Sequence, residues 1–334
     1  MPSATSFNSP NDVILDNSGG IYVADTLNNR VLYFAADSTT ASRVYGQGGS
    51  FTTRIVNKGT PLACSATSFN NPYAVALDSS EGLYVCDMFN NRVLYFAAGN
   101  TTASRVYGQN DSFTTGTANK FGRSANSLAY PAGVTLDSSG GLYVTDGNNY
   151  RVLYFAAGNT TASRVYGQND SFTSYFSLGV NSSADSLYAP RLITLDNSSG
   201  GLYVSDTANN RVLYFAAGNT TASRVYGQDG SFTSRTINKG GVSATSLYSP
   251  YGVRLDNSGG LYVTDGRNNR VLYFAAGNTT ASRVFGQGGS FTSNTTNKGG
   301  VSADSLLFPG SVTLDNSGGL YIVDKDNNRV LYYV

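Results

Sequence analysis

The sequence predicts an all-β fold, a six-bladed β-propeller of four-stranded antiparallel blades, and three observations carry the prediction. First, Arg-Val-Leu-Tyr-Phe begins at Arg30, Arg92, Arg151, Arg211 and Arg270, with Arg-Val-Leu-Tyr-Tyr at Arg329, so the steps are 62, 59, 60, 59 and 59 residues. A period of that size marks a repeat architecture and a single domain over residues 1–334. Second, each unit holds four short runs rich in Val, Leu, Tyr and Phe, bounded by Gly, Asn, Asp and Ser, and none keeps a 3.6-residue period. Third, the Val-Leu-Tyr-Phe run is apolar at odd and even positions alike, so both faces of its sheet need cover. Six such sheets packed broadside around an axis supply that cover. A linear solenoid would use shorter coils than these units.

The elements follow in order within the fourth unit. Strand a is expected over Leu192–Leu195, followed by the turn Asp196-Asn197-Ser198-Ser199-Gly200-Gly201. Strand b is expected over Leu202–Ser205 and closes on Asp206; strand c covers Val212–Phe215 and strand d Arg224–Tyr226. Strand d appears only five times, at Arg43, Arg105, Arg164, Arg224 and Arg283. The sixth blade is therefore expected to have three strands and an open edge at Leu331–Val334. Something is expected to pair with that edge, either a continuation of the chain or a partner, because unpaired strand edges invite addition.

The segment Pro250–Phe274, Pro-Tyr-Gly-Val-Arg-Leu-Asp-Asn-Ser-Gly-Gly-Leu-Tyr-Val-Thr-Asp-Gly-Arg-Asn-Asn-Arg-Val-Leu-Tyr-Phe, resembles the NHL repeat. The resemblance extends over all six units, with about fifteen extra residues between strands d and a. It implies a six-bladed propeller used mostly for binding.

Composition narrows the chemistry. Of 334 residues, 22 are Lys or Arg, 21 are Asp or Glu and none is His, for a formal charge of +1. Without His there is no Ser-His-Asp or Cys-His catalysis and no His-ligated metal. No apolar run approaches the roughly 20 residues of a membrane span, so no membrane insertion is expected. The N-terminus lacks a basic and an apolar region of signal-peptide type. Near-neutral charge argues against nucleic acid as partner. No cofactor is implied.

Residues repeated in every unit are read as structural. Asp16, Asp78, Asp137, Asp196, Asp256 and Asp315 precede the a–b turn, where a carboxylate accepts turn amides or, alternatively, holds calcium. Asp25, Asp87, Asp146, Asp206, Asp265 and Asp324 lie five residues before the Arg of strand c, a spacing for a cap or an ion pair. Repeated arginines take eleven of the 22 basic residues and repeated aspartates twelve of the 21 acidic ones.

Residues that differ between units are the binding candidates. Alternating strands put the b–c loops and d–a linkers at one end of each blade, with the nearly invariant c–d turns at the other. At the variable end lie Tyr73, Met88, Phe89, Tyr150, Tyr175, Phe176, Arg191, Tyr251, Arg254, Arg267 and Lys325. Variable loops on a rigid scaffold are where binding usually resides. Asn100, Asn159, Asn219 and Asn278 begin Asn-Thr-Thr glycosylation acceptors in the c–d turns. Cys64 and Cys86, both near the variable end, either pair as a disulfide or stand as two thiols.

The sequence therefore supports a non-enzymatic scaffold for a protein, peptide or glycan ligand. The alternatives are a channel-centred hydrolase- or lyase-like enzyme using calcium, and a binder of single-stranded RNA. The scarcity of channel-type acids, Glu81 being the only glutamate, weighs against the first. The small excess of positive charge weighs against the second.

Overall fold

The computed structural model describes residues 1–59, 63–174 and 182–334. It shows six antiparallel sheets, a six-bladed β-propeller. Blade one is Asp12–Leu15 (β1), Ile21–Asp25 (β2), Arg30–Phe34 (β3) and Arg43–Tyr45 (β4). Blade two is Pro72–Leu77 (β5), Leu83–Asp87 (β6), Arg92–Phe96 (β7) and Arg105–Tyr107 (β8). Blade three is Pro131–Leu136 (β9), Leu142–Asp146 (β10), Arg151–Phe155 (β11) and Arg164–Tyr166 (β12). Blade four is Ile193–Asp196 (β13), Gly201–Asp206 (β14), Arg211–Phe215 (β15) and Arg224–Tyr226 (β16). Blade five is Pro250–Leu255 (β17), Leu261–Asp265 (β18), Arg270–Phe274 (β19) and Arg283–Phe285 (β20). Blade six has three strands, Val312–Leu314 (β21), Leu320–Asp324 (β22) and Arg329–Tyr333 (β23).

Strand bounds differ from the sequence reading by a residue or two, and for strands b and c one reason is instructive. The repeated Asp and Arg are the last rung of the b–c ladder: Asp206 sits opposite Arg211, and Asp265 opposite Arg270. They belong to the sheet rather than to the loop beyond it.

Blades one to three fall in a first compact unit, Met1–Val165 with Phe172–Ser174, and blades four to six in a second. In the first, Ala24, Val31, Tyr45, Phe69, Val75, Leu94, Phe96 and Val106 form one apolar cluster between blades one and two. In the second, Tyr203, Val212, Leu247, Val253, Leu272 and Phe274 do the same between blades four and five. Each wholly buried Phe, Leu or Val contributes about 1.5–3 kcal/mol. The strand-d ring of one blade meets the strand-c ring of the next edge-on, as in Tyr45–Phe96 at 5.4 Å and Tyr226–Phe274 at 5.2 Å. Edge-to-face contact aligns ring quadrupoles and fixes how neighbouring blades pack.

Polar staples hold the variable end of each blade. Arg92 donates from Nε to Asp87 at 2.8 Å, from Nη1 to the Phe113 carbonyl, and from Nη2 to the carbonyls of Ser65 and Ser68. Asp87 also accepts from the Asn70 amide and the Asn90 side chain. Burial pushes the Asp87 carboxyl up, and the Arg92 guanidinium pulls it back. The same set recurs at Asp25–Arg30, Asp146–Arg151, Asp206–Arg211 and Asp265–Arg270. A buried pair of this kind tolerates its desolvation because most of its remaining donors and acceptors are occupied.

Strand d is followed by Gly-Gln, and the glutamine is a second staple. Gln47 donates from Nε2 to the carbonyls of Asn29 and Ile55 while its Oε1 accepts from Ile55. The glycine before it has a physical reason: Gly46 stands at φ +93°, and a Cβ there would lie 2.2 Å from the Phe69 ring.

The a–b turns match the sequence reading. Asp16 Oδ1 accepts from the amides of Ser18 at 2.9 Å and Gly20 at 2.7 Å. Among the described residues no group of three His, Cys, Asp or Glu could hold a metal ion. Among the described residues no helix is long and apolar enough to cross a membrane.

Candidate functional site

Each b–c loop is one turn of 3-10 helix closed by a residue in the left-handed region, at Asn29, Asn91, Tyr150, Asn210, Asn269 and Asn328. Asparagine tolerates that conformation better than other non-glycine residues. It also stitches blades together. Asn91 Oδ1 accepts from the Tyr130 amide and Asn269 Oδ1 from the Phe308 amide, both at 3.0 Å. The donating residues, which lead toward the next strand a, have positive φ themselves, 56° at Tyr130 and 48° at Phe308. A loop pinned at both ends holds its side chains in fixed directions.

The linkers are tied to the same end. Asn238 and Asn268 exchange side-chain amide bonds of 3.0 and 2.7 Å, and Asn119 and Asn149 do likewise at 3.0 and 2.7 Å. Lys58, Lys120, Lys239 and Lys298 each donate to the backbone carbonyl of the preceding strand-d glutamine. These lysines are structural, which the sequence reading did not recognise. Seven basic residues remain, Arg54 and Arg235 at a shared linker position and Arg123, Arg191, Arg254, Arg267 and Lys325 in single repeats.

In the first unit Tyr73 and Met88 are buried, at 6% and 4% exposure, so their side chains serve packing. Phe89 is exposed and meets Tyr130 edge-on at 5.3 Å. Phe121 is exposed beneath the Lys120 ammonium at 5.2 Å. Tyr150 is half-buried at the left-handed position. Both Cys64 and Cys86 are buried free thiols, and burial pushes each of them up.

In the second unit the variable residues converge. The Arg191 guanidinium lies 5.5 Å from the Tyr251 ring centre. The Lys325 ammonium lies 5.2 Å from the same ring and 5.1 Å from that of Phe308. Tyr251 and Phe308 meet edge-on at 5.0 Å. Gly266 packs beneath: a Cβ there would lie 3.5 Å from Tyr251 and 3.6 Å from Phe308. Its neighbour Arg267 is exposed and stacks on Tyr248 at 5.5 Å. Arg191 comes from blade four, Tyr251 from blade five, and Phe308 and Lys325 from blade six. Arg254 is half-buried within β17 opposite Tyr262. Tyr175 and Phe176 lie outside the described residues.

Phe308 and Tyr130 are the residues sequence reading missed. Their shared position holds Ser9, Asn71, Tyr130, Ala189, Ser249 and Phe308 in the six repeats, so it varies as much as the positions that were singled out. The cluster offers two cations against the Tyr251 ring, one of them also against Phe308, each contact worth about 0.5–1 kcal/mol when exposed. Cations of this kind can meet a carboxylate, and the rings beside them an apolar portion of a ligand.

Asn100, Asn159, Asn219 and Asn278 are all exposed, in c–d turns at the other end of the strands.

The NHL repeat family model matches residues 7–34, 128–155 and 247–274. No curated protein matches the chain. Several solved structures share the fold. A catalytically inactive virginiamycin B lyase from Staphylococcus aureus, solved with quinupristin, is 12% identical with TM-score 0.54 over 100% of this chain and 86% of that one. The hydrazine synthase of Kuenenia stuttgartiensis is 13% identical with TM-score 0.56 over 100% and 97%. An auxiliary nutrient binding protein from Bacteroides thetaiotaomicron is 12% identical with TM-score 0.61 over 98% and 70%. At these identities the likeness concerns the fold alone.

Proposed function

We propose that this NHL-repeat six-bladed β-propeller is a non-enzymatic binding scaffold for a protein, peptide or glycan ligand bearing a carboxylate. The observation that carries the reading is the Arg191–Tyr251–Phe308–Lys325 cluster, assembled from three successive blades. Arg191, Phe308 and Lys325 differ from their counterparts in the other repeats, and Tyr251 recurs only at Tyr73, whereas the Asp–Arg staples that build the blades recur in all six. A nutrient-binding protein among the solved structures with this fold is compatible with a binding role. The lyase of the same fold was solved as an inactive variant in which a histidine is replaced by alanine. This chain contains no histidine, so it cannot supply that group.

The test is a set of acidic peptides and carboxylated glycans probed with the intact chain and with the double variant Arg191→Ala, Lys325→Ala. Loss of one charge-assisted contact of about 1.5–3 kcal/mol corresponds to roughly a 10- to 150-fold fall in affinity. Binding should also weaken with salt. A ligand bound equally by the double variant, with unchanged melting temperature, refutes the assignment.

A further inference from the structure

Blade three and the linker that enters it carry aromatic side chains where the other repeats mostly hold small or polar ones. Phe121 stands at φ 64° where the corresponding linker residues are Gly59, Gly240 and Gly299. Tyr130 stands at φ 56°, and its counterparts are Ser9, Asn71, Ala189, Ser249 and Phe308. Tyr150 stands at φ 56° where every other b–c loop closes on Asn. A bulky residue in the left-handed region strains the backbone, and strain of this kind gathers at ligand sites. Burial does not offset it. Phe121 is 85% exposed, Tyr130 is 38% exposed, and Phe89, the edge-on partner of Tyr130 from blade two, is 44% exposed.

The Phe89–Tyr130 pair is held by backbone bonds on both sides. The Phe89 amide donates to the Asn70 carbonyl at 3.1 Å, and the Tyr130 amide to Asn91 Oδ1 at 3.0 Å. The Gly147 amide donates to the Tyr130 carbonyl at 3.2 Å and the Asn148 amide to the Ala129 carbonyl at 3.0 Å. Exposed Asn148 is thereby fixed on the loop that adjoins Tyr130.

The chemistry of this surface is uncharged. The two b–c loops read Met-Phe-Asn-Asn from Met88 and Gly-Asn-Asn-Tyr from Gly147. The linker cations are engaged elsewhere: Lys120 donates to the Gln109 carbonyl and the Thr115 hydroxyl, and Arg123 donates from Nε to Asn149 Oδ1. An exposed ring presents the negative face of its quadrupole, which complements the C–H bonds on one face of a pyranose. A side-chain amide beside it offers both a donor and an acceptor to sugar hydroxyls. Area points the same way. At about 200 Å² per aromatic side chain, the exposed fractions of Phe89 and Tyr130 leave roughly 160 Å² together, about a fifth of the roughly 800 Å² that each partner buries in a stable protein complex. That is enough for sugar rings and too little to anchor a protein.

We propose that Phe89 and Tyr130, with Asn148 beside them, form a stacking site for a neutral oligosaccharide. A pyranose face lies against a ring, and its hydroxyls bond to the Asn148 side chain. The site shares no residue with the carboxylate cluster of blades four to six and does not depend on it.

The experiment titrates the intact chain with neutral tetrasaccharides of glucose, mannose and N-acetylglucosamine in a calorimeter. At least one should bind saturably, with an affinity that added salt does not weaken. Phe89→Ala and Tyr130→Asn should each lower that affinity about tenfold or more. Tyr130→Asn places at this position the residue that blade two carries there, Asn71 at φ 55°, so its melting temperature should hold or rise while binding falls. A ring kept for packing alone would give the opposite result, a lowered melting temperature with binding unchanged. The double variant Arg191→Ala, Lys325→Ala should bind the sugar as the parent does; if it does not, the sugar belongs to the carboxylate cluster and this proposal fails. It fails equally if none of the tetrasaccharides saturates, if both ring variants bind as well as the parent, or if a proline-rich peptide binds these rings and the sugars do not.

Discussion

Replacing Arg270 by Met and, separately, Arg329 by Met asks how much burial decides the worth of a staple. Both arginines make an Nε bond to the strand-b aspartate, 2.8 Å to Asp265 and 2.7 Å to Asp324. Both donate from Nη2 to two linker carbonyls. They differ in surroundings. Arg270 and Asp265 are wholly buried, and Arg270 also serves the Phe291 carbonyl. Methionine fills most of the stem volume, so the loss is chiefly polar: one buried carboxylate without its cation and three carbonyls without donors. Breaking a buried pair from one side costs about 3–5 kcal/mol. At Arg329, a quarter of the side chain meets water, and water can replace much of what is lost. A cost of about 1–2 kcal/mol follows, nearer that of ordinary hydrogen bonds. Urea titration followed by circular dichroism, with the midpoint compared at constant slope, measures both. Equal midpoints for the two variants would refute the claim that desolvation, rather than the ion pair itself, sets the scale.

Three further outcomes follow from local geometry. Gly46→Ala should cost about 3 kcal/mol, since the new methyl strikes the Phe69 ring at unfavourable φ, whereas Gly48→Ala, with open space around it, should cost about 1 kcal/mol from backbone strain alone; thermal midpoints of the two variants decide. Tyr150→Asn should stabilise the protein by about 0.5–1 kcal/mol, because asparagine suits φ 56° better than tyrosine; a lowered denaturation midpoint would refute this. For Asp256, burial pushes the carboxyl up, but the Ser258 hydroxyl, the Gly260 amide and the Tyr273 hydroxyl together hold it below its usual value. The folded state then binds its proton less readily than the unfolded one, so this contribution is present above the unfolded carboxyl value of about 3.9 and is lost as pH falls through the folded one. Asp256→Asn should therefore be less stable than the parent at pH 7, with the gap closing toward pH 3; a gap that widens on acidification contradicts the hydrogen-bond account.

Much of the framework is written in the repeat itself. Period, strand order, the missing outer strand of blade six and the Asp–Arg pairing all follow from identical residues recurring at fixed offsets, because each blade solves the same local problem in the same way. The linker lysines were legible too, at Lys58, Lys120, Lys239 and Lys298, but repetition at that position was obscured by the divergence of the surrounding linkers. Tyr73 and Met88 show the converse. Met88 is unique to its repeat as Phe89 is, and Tyr73 is shared only with Tyr251, yet Tyr73 and Met88 turn inward and Phe89 outward. Variation between repeats reports that a position is free of the common scaffold, not which way its side chain points.

From its amino acids alone, this chain is committed to six sheets with structural residues in register, because periodic burial and turn chemistry act over short stretches. Which unlike residues become neighbours was decided only in three dimensions. Arg191, Tyr251, Phe308 and Lys325 span three repeats and meet because successive blades are wedged by edge-on rings while left-handed loop residues, pinned by Asn269 and its kin, fix the exit of each strand. That meeting depends on the angle between packed sheets, a property of how whole blades interlock rather than of any segment read by itself.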